Sequence, residues 1–82
     1  MPPWNSPNSA EAMRRYLDAL ALTTELGMRP LAAHCHAGLW RLYRRLDQSA
    51  QGETHLTSAA AMYREMGMRF WVSQLEREAA IG

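Results

Sequence analysis

The sequence predicts an all-α fold in which four helices form antiparallel hairpins. Apolar residues recur at helical spacing along most of the chain, and no run alternates apolar and polar residues as a strand does. Gly27 and Gly67 suit the left-handed conformation that ends many helices. The chain also contains an internal repeat, since six of 23 positions are identical between residues 12–34 and 52–74. A repeat of this length is typical of stacked helical units, which act by presenting a surface.

The first element after a proline-containing arm is a helix over residues 10–26. Residues 1–7 hold three prolines and predict an extended arm, so a single helical domain is expected over residues 8–82. Two adjoining stripes mark the side of this helix that packs on its neighbours: Met13, Leu17, Leu20 and Thr24, and beside them Ala12, Tyr16 and Ala19.

The second helix is expected over residues 30–46, where Pro30 fits the first turn. Its predicted buried side consists of Leu31, Cys35, Gly38, Leu39, Leu42, Tyr43 and Leu46. Asp47 or Ser49 is expected to cap the third helix, over residues 50–66. The fourth helix is expected over residues 68–80, with Trp71 and Leu75 on its buried side.

Composition and charge exclude several classes of function. The net charge is +1, which argues against bulk nucleic acid or an anionic membrane as the partner. All nine basic residues are Arg, a usage typical of GC-rich bacterial genomes. Because Cys35 is the single cysteine, the chain cannot form an intramolecular disulfide. With neither a secretory signal nor a membrane span in view, the sequence predicts a cytoplasmic protein.

Several segments resemble tetratricopeptide-type repeats, in the longer variant found in bacterial multidomain signalling ATPases and nucleotide cyclases. The resemblance rests on residues 16–22 and 25–31, on His34-Cys35-His36, and on residues 55–57 and 62–68. It implies an α-α superhelix fragment that scaffolds other proteins and carries no activity. A fragment cut at both ends exposes apolar surface that its neighbours would normally cover.

One pair of residues departs from the usual pattern of that family. Trp40 stands where the family tends to place a small residue, and Gly52 stands across the hairpin where it tends to have Ala. Two interpretations remain open. The indole packs over Gly52 and keeps the volume constant, or Trp40 is partly exposed and Gly52 belongs to a frayed first turn.

The histidines near Cys35 suggest two kinds of site, a metal site or a reactive thiolate, but the sequence favours neither. His34 and His36 point about 200° apart on one helix, so they cannot hold the same ion, and His55 adds at most one ligand. Cys35 lies on an apolar stripe, which suits a packing residue. The prediction is therefore no catalytic residue, no cofactor and no metal.

The functional prediction is a non-catalytic module for protein–protein interaction, which packs helix faces and forms a homodimer. The expected interface residues are Met13, Tyr16, Trp40, Trp71 and Leu75. The alternative is a regulatory module of a larger signalling protein that binds an acidic peptide, a nucleic acid or a small ligand. Arg41, Arg44 and Arg45 are the expected rim contacts, or the binding face in the alternative.

Overall fold

The computed structural model describes residues 7–81 and places them in four α-helices joined by short turns. The helices are α1 (Pro7–Glu25), α2 (Arg29–Arg45), α3 (Ser49–Glu65) and α4 (Arg69–Ile81). The all-α prediction is confirmed: residues 7–81 contain no strand, and consecutive helices pack against each other. Each of the last three helices starts within one residue of its predicted position.

The predicted N-terminal arm lies almost entirely outside the described residues. Its residues 1–6 are not described, and Pro7 is already the first residue of α1. The helix therefore begins three residues ahead of the predicted start at residue 10. A proline is tolerated there because the first turn of a helix leaves its N–H groups without helical partners.

The three turns share one geometry and are evenly spaced along the chain. Gly27 and Gly67 both have φ 71°, and Asp47 has φ 61°, so a left-handed residue ends each of the first three helices. The residue after each one donates its N–H to a carbonyl five residues back. These bonds are Met28 to Thr23 at 2.8 Å, Gln48 to Tyr43 at 2.9 Å and Met68 to Tyr63 at 2.8 Å. The helix ends predicted at Gly27 and Gly67 are confirmed.

Asp47 has a different role from the predicted one. It was expected to cap α3, but it ends α2 in the left-handed region, and Gln48 occupies the N-cap position without a side-chain capping bond. Ser49 is the first residue of α3 and is not its cap either. The short side chain of Asp is among the few that tolerate a left-handed backbone, which explains why this turn works without glycine.

Helix α2 lies at the centre of the molecule and packs most extensively against α3 and then α1. The buried core joins α2 to α3 and α4. It consists of Ala33, Ala37, Trp40, Ala59, Tyr63 and Leu75. On the other side of α2, the ring of Tyr16 lies directly over Gly38, where a Cβ atom would have no room. Leu31 was predicted to be buried, but it is 46% exposed.

Trp40 and Gly52 are in contact, as the first of the two interpretations required. Trp40 is 2% exposed and Gly52 is buried within α3. A Cβ atom at position 52 would lie 3.4 Å from Cδ1 of Trp40 and 3.2 Å from Cβ of Tyr43. The indole therefore occupies space that a side chain at position 52 would need. The alternative, a partly exposed Trp40, is wrong.

Candidate interaction surface

Exposed large apolar side chains concentrate on α1, in the turn that follows it and at the start of α2. Six of them lie between residues 16 and 31, namely Tyr16, Leu17, Leu22, Leu26, Met28 and Leu31, and the rest of the described chain adds Phe70 and Ile81. Leu22 is 54% exposed and Leu26 is 62% exposed. Single exposed apolar residues are ordinary on protein surfaces, whereas a concentration of them indicates an interaction site.

Four of these residues form what we call the open patch: Leu22, Leu26, Met28 and Leu31. The internal repeat gives each of them a counterpart in the second copy, and those counterparts are Met62, Met66, Met68 and Trp71. All four counterparts are partly buried and pack against the core. The two copies thus carry apolar residues at the same repeat positions, but only the second copy has them covered.

Helix α2 contacts the second copy at both of its helices. The ring of Trp71 meets His34 edge-on at 4.7 Å between ring centres. Nη2 of Arg29, at the start of α2, lies 2.7 Å from Oε1 of Glu65 at the end of α3. Of the described helices, only α2 packs extensively on α1. The open patch therefore lacks a helix that corresponds to α2.

The predicted interface residues lie at very different depths. Trp40 and Leu75 are each 2% exposed and belong to the core, so they offer no surface to a partner. Trp71 is half-buried against the core, and Met13 is half-buried on α1. Tyr16 is 39% exposed, but its ring covers Gly38. Sequence periodicity identified apolar residues correctly and could not separate those that pack internally from those left outside.

Two of the three predicted rim arginines are engaged within the protein. Arg41 binds both carboxylate oxygens of Glu78 at 2.7 Å, and this hydrogen bonding raises the pKa of Arg41 and lowers the pKa of Glu78. The guanidinium of Arg44 lies 4.6 Å from the centre of the Trp40 ring, a cation–π distance. Arg45 is exposed beside an open cleft of about 470 Å³. Because Glu78 and Asp47 also line the cleft, its positive charge is largely offset.

Two histidines form a pair across the α2–α3 hairpin. Nδ1 of His36 lies 2.9 Å from Nδ1 of His55, so one ring donates a proton to the other. Burial lowers the pKa of both rings, and the charge of His55 lowers the pKa of His36 further. Both rings are therefore neutral at pH 7. No group of three or more His, Cys, Asp or Glu side chains within the described residues could hold a metal ion.

His34 and Cys35 have separate environments. Nδ1 of His34 lies 2.6 Å from the hydroxyl of Tyr63, and Tyr63 is 1% exposed. Burial raises the pKa of Tyr63, so the hydroxyl stays protonated and shares a hydrogen bond with Nδ1 of His34. Cys35 is a free, half-buried thiol. His34, Cys35 and His36 are adjacent in the sequence, but they do not act together in the structure. His34 contacts Tyr63, and His36 contacts His55.

The residues of the open patch were not among the predicted interface residues. A signal for them was nevertheless present, because the internal repeat pairs Leu22, Leu26, Met28 and Leu31 with four residues that the core covers. Helical spacing within each helix did not reveal this, since it placed only Leu31 on a predicted buried side and left the other three unassigned. Comparing the two copies after the core is known identifies them.

Comparisons of the chain with protein-family models, with curated proteins and with solved structures gave no match. Within the described residues, no helix combines the length and the apolar content that crossing a membrane requires. The functional argument therefore depends on the surface itself.

Proposed function

We propose that this chain is a non-catalytic protein–protein interaction module that associates with a second copy of itself through the open patch. The observation that carries the proposal is the pairing of exposed Leu22, Leu26, Met28 and Leu31 with counterparts that are packed against the core. Residues at these repeat positions are covered wherever a neighbouring helix is available. A second copy supplies such a helix to the first.

The driving force is the removal of apolar surface from water. Full burial of a leucine side chain contributes about 1.5–3 kcal/mol, and Leu22 and Leu26 are only about half buried in the single chain. Association also costs translational and rotational freedom, so the expected complex is concentration-dependent. The mechanism is helix-face packing, with apolar anchors at the centre and charged residues around them.

The repeat architecture supports the same proposal. Helices α2, α3 and α4 start at residues 29, 49 and 69, so the chain adds helices at a constant spacing and every second helix begins a new hairpin. That regularity is what supports a tetratricopeptide-like array, whose known use is to present helix faces to other proteins. We also propose a cytoplasmic module within bacterial signalling, in line with the free thiol of Cys35 and the arginine-only basic composition.

The absence of catalysis is part of the proposal. The side chains that first suggested chemistry have packing partners: His34 binds Tyr63, His36 binds His55, and Arg41 binds Glu78. These contacts give each of the side chains a structural role.

The test is the solution mass, measured by size-exclusion chromatography with light scattering over a dilution series. The wild-type chain is expected to approach twice 9.3 kDa at high concentration and to dissociate on dilution. Leu22→Glu combined with Leu26→Glu should give a monomer, because each change places a charge in the contact.

The matched control for that experiment is Ile81→Glu, at the far end of α4. Ile81 is 87% exposed, so the same chemical change there should leave the association intact. A wild-type chain that stays monomeric at every concentration would contradict self-association. Equal loss of association in the control and in the patch variant would show that the open patch is not the contact.

A further inference from the structure

The two ends of the helical array have opposite surface chemistry. At the core, α2 supplies Ala33, Ala37 and Trp40. The counterparts of these residues on α4 are Ser73, Arg77 and Ala80, and all three are exposed. If α4 lay on another copy as α2 lies on α3, Arg77 would take the place of a buried alanine. Burial of an unpaired charge is strongly unfavourable, so Arg77 opposes this contact, although α4 also carries the exposed Phe70 and Ile81.

An exposed charge at this position of α4 limits how copies can associate. Head-to-tail stacking needs the α4 face of one copy against the α1 face of the next, and this contact generates open chains of copies. The apolar surface is concentrated on α1 and the turn after it. A contact between two α1 faces uses the same patch twice and closes at two copies.

One side of α1 has the spacing of a helix–helix seam. Arg15, Ala19, Leu22 and Leu26 are separated by four, three and four residues, so they lie along the same side. Ala19 is half-buried and the other three are exposed. In an antiparallel pair of α1 helices, Ala19 of one copy lies opposite Leu22 of the other, and Arg15 lies beside Leu26.

The charges along α1 favour the antiparallel orientation. The first half of the helix carries Arg14 and Arg15 together with Glu11, and the second half carries Asp18 and Glu25 and no basic residue. An antiparallel pair places the basic half of each helix against the acidic half of the other. A parallel pair would place like charges together.

The two residues that would form the cross-copy ion pair are available. Glu25 is exposed and forms no ion pair with another residue of the described range 7–81. Arg15 binds Glu11 one turn away at 2.8 Å, with 78% of the Arg15 side chain exposed. Exposed pairs of this kind contribute little to stability, so Arg15 can exchange Glu11 for a new partner.

We propose that two copies pair through their α1 helices in an antiparallel, two-fold arrangement, with Arg15 of each copy bound to Glu25 of the other. This inference rests on the proposed function and adds to it the second copy's contact face, the orientation and the limit of two. The ion pairs flank an apolar centre of Ala19 and Leu22. The arrangement leaves Arg77 of α4 in contact with solvent.

Charge reversal tests the arrangement. Arg15→Glu or Glu25→Arg alone should weaken the dimer about tenfold or more in a light-scattering dilution series at low salt, because each change puts two like-charge contacts into one dimer. The double variant R15E/E25R should restore the wild-type dissociation constant to within about threefold, since the two-fold contact regains opposite charges. Circular dichroism checks that every variant keeps its helices.

A second double variant separates the two-fold contact from head-to-tail stacking. In a stack, Glu25 would meet Arg69 of the next copy, as Glu65 meets Arg29 within the chain. R69E/E25R should therefore remain as weak as E25R alone if the contact is two-fold. Rescue by R69E/E25R, or masses that keep growing beyond the dimer, would overturn the proposal.

The outcomes distinguish this inference from the proposed function. If Leu22→Glu with Leu26→Glu abolishes association but the charge reversals have no effect, the open patch is the contact and the two-fold pairing is wrong. If neither set of variants changes the association, the proposed contact surface fails as well.

Discussion

The described chain has two halves, α1 with α2 and α3 with α4, and each half is the same structural unit in different surroundings. In both, the first helix ends at a glutamate, a left-handed glycine with φ 71° follows, and the next helix begins at an arginine. The hydrogen bonds of the two turns are nearly equal in length, since the Met28–Thr23 and Met68–Tyr63 bonds are both 2.8 Å and the Gly27–Thr24 and Gly67–Arg64 bonds are 3.2 Å and 3.1 Å. Local sequence therefore determines the turn in both halves.

Burial does not follow the same rule. Leu26 is 62% exposed, while its counterpart Met66 packs against the core. Met66 belongs to the half that α2 covers, and no described helix takes that place for Leu26. Burial at a repeat position thus depends on the neighbouring helix, and the uncovered half is where we propose that a second copy binds.

The largest expected loss of stability is at position 40, which the repeat offset of 40 residues aligns with position 80. Trp40 is 2% exposed in the core, and its counterpart Ala80 is exposed. Trp40→Ala should lower the free energy of unfolding by about 3–5 kcal/mol, because it leaves a cavity and removes the cation–π contact with Arg44. Urea denaturation followed by circular dichroism measures this loss. A loss below about 1 kcal/mol would show that the Trp40 site collapses or that the indole is not buried.

The next effect concerns the glycine beneath that indole. Gly52→Leu should cost about 1–3 kcal/mol, since a Cβ at position 52 already lies 3.2 Å from Cβ of Tyr43 and a larger side chain displaces Trp40. The matched control is Ala61→Leu, at an exposed position of the same helix. Both variants are compared by urea denaturation. A Gly52→Leu protein as stable as the control would contradict the Trp40–Gly52 contact.

A matched pair at positions 26 and 66 compares the halves directly. Met66→Ala should cost about 1–2 kcal/mol, because the side chain packs against the core and is only partly buried. Leu26→Ala should cost less than about 0.5 kcal/mol in dilute solution, where the open patch is in water. Thermal unfolding at low protein concentration checks both values. Equal losses would mean that the two halves are equally covered in the single chain.

The smallest effect is a pH dependence from the pair of His36 on α2 and His55 on α3, which joins the two halves. The pKa values of His36 and His55 are lowered in the folded chain, so the unfolded chain takes up protons first as the pH falls below about 6.5. The stability from this pair is thus present above that pH and is lost on acidification. The first half has Arg15 at the position of His55, so it contains no corresponding pair.

His36→Asn tests that origin. Asn keeps a donor near Nδ1 of His55, which also stacks on Tyr43 at 5.7 Å, but it does not titrate. The loss of unfolding free energy between pH 8 and pH 5.5 should be smaller in this variant than in the wild type. Parallel pH profiles for the two proteins would show that the histidine pair is not the source.

The sequence predicted the features that depend on local geometry. Helical spacing and the two glycines located all four helices, and the volume argument anticipated the contact between Trp40 and Gly52. It failed at Asp47, because Asp serves both as a cap and as a left-handed residue, and only the neighbouring turn geometry decides which. It also failed at Leu31, which is apolar and at helical spacing but is covered by no described helix.

The candidate surface was less predictable than the fold. Trp40 and Leu75 were expected to meet a partner because they are large and apolar, but both lie in the core. Sequence alone carries no information on which helix covers which face. The tertiary structure supplied that information. The internal repeat then allowed each residue of the open patch to be compared with its counterpart in the second copy.

The most direct test of the central claim is a dilution series followed by NMR of the leucine and methionine methyl groups. The signals of Leu22, Leu26 and Met28 should shift with protein concentration, because a second copy covers them. The signals of their counterparts Met62, Met66 and Met68 should stay constant, because these side chains pack against the core at every concentration. Constant signals in both sets, or shifts of equal size in both, would contradict the claim that only the first half awaits a partner.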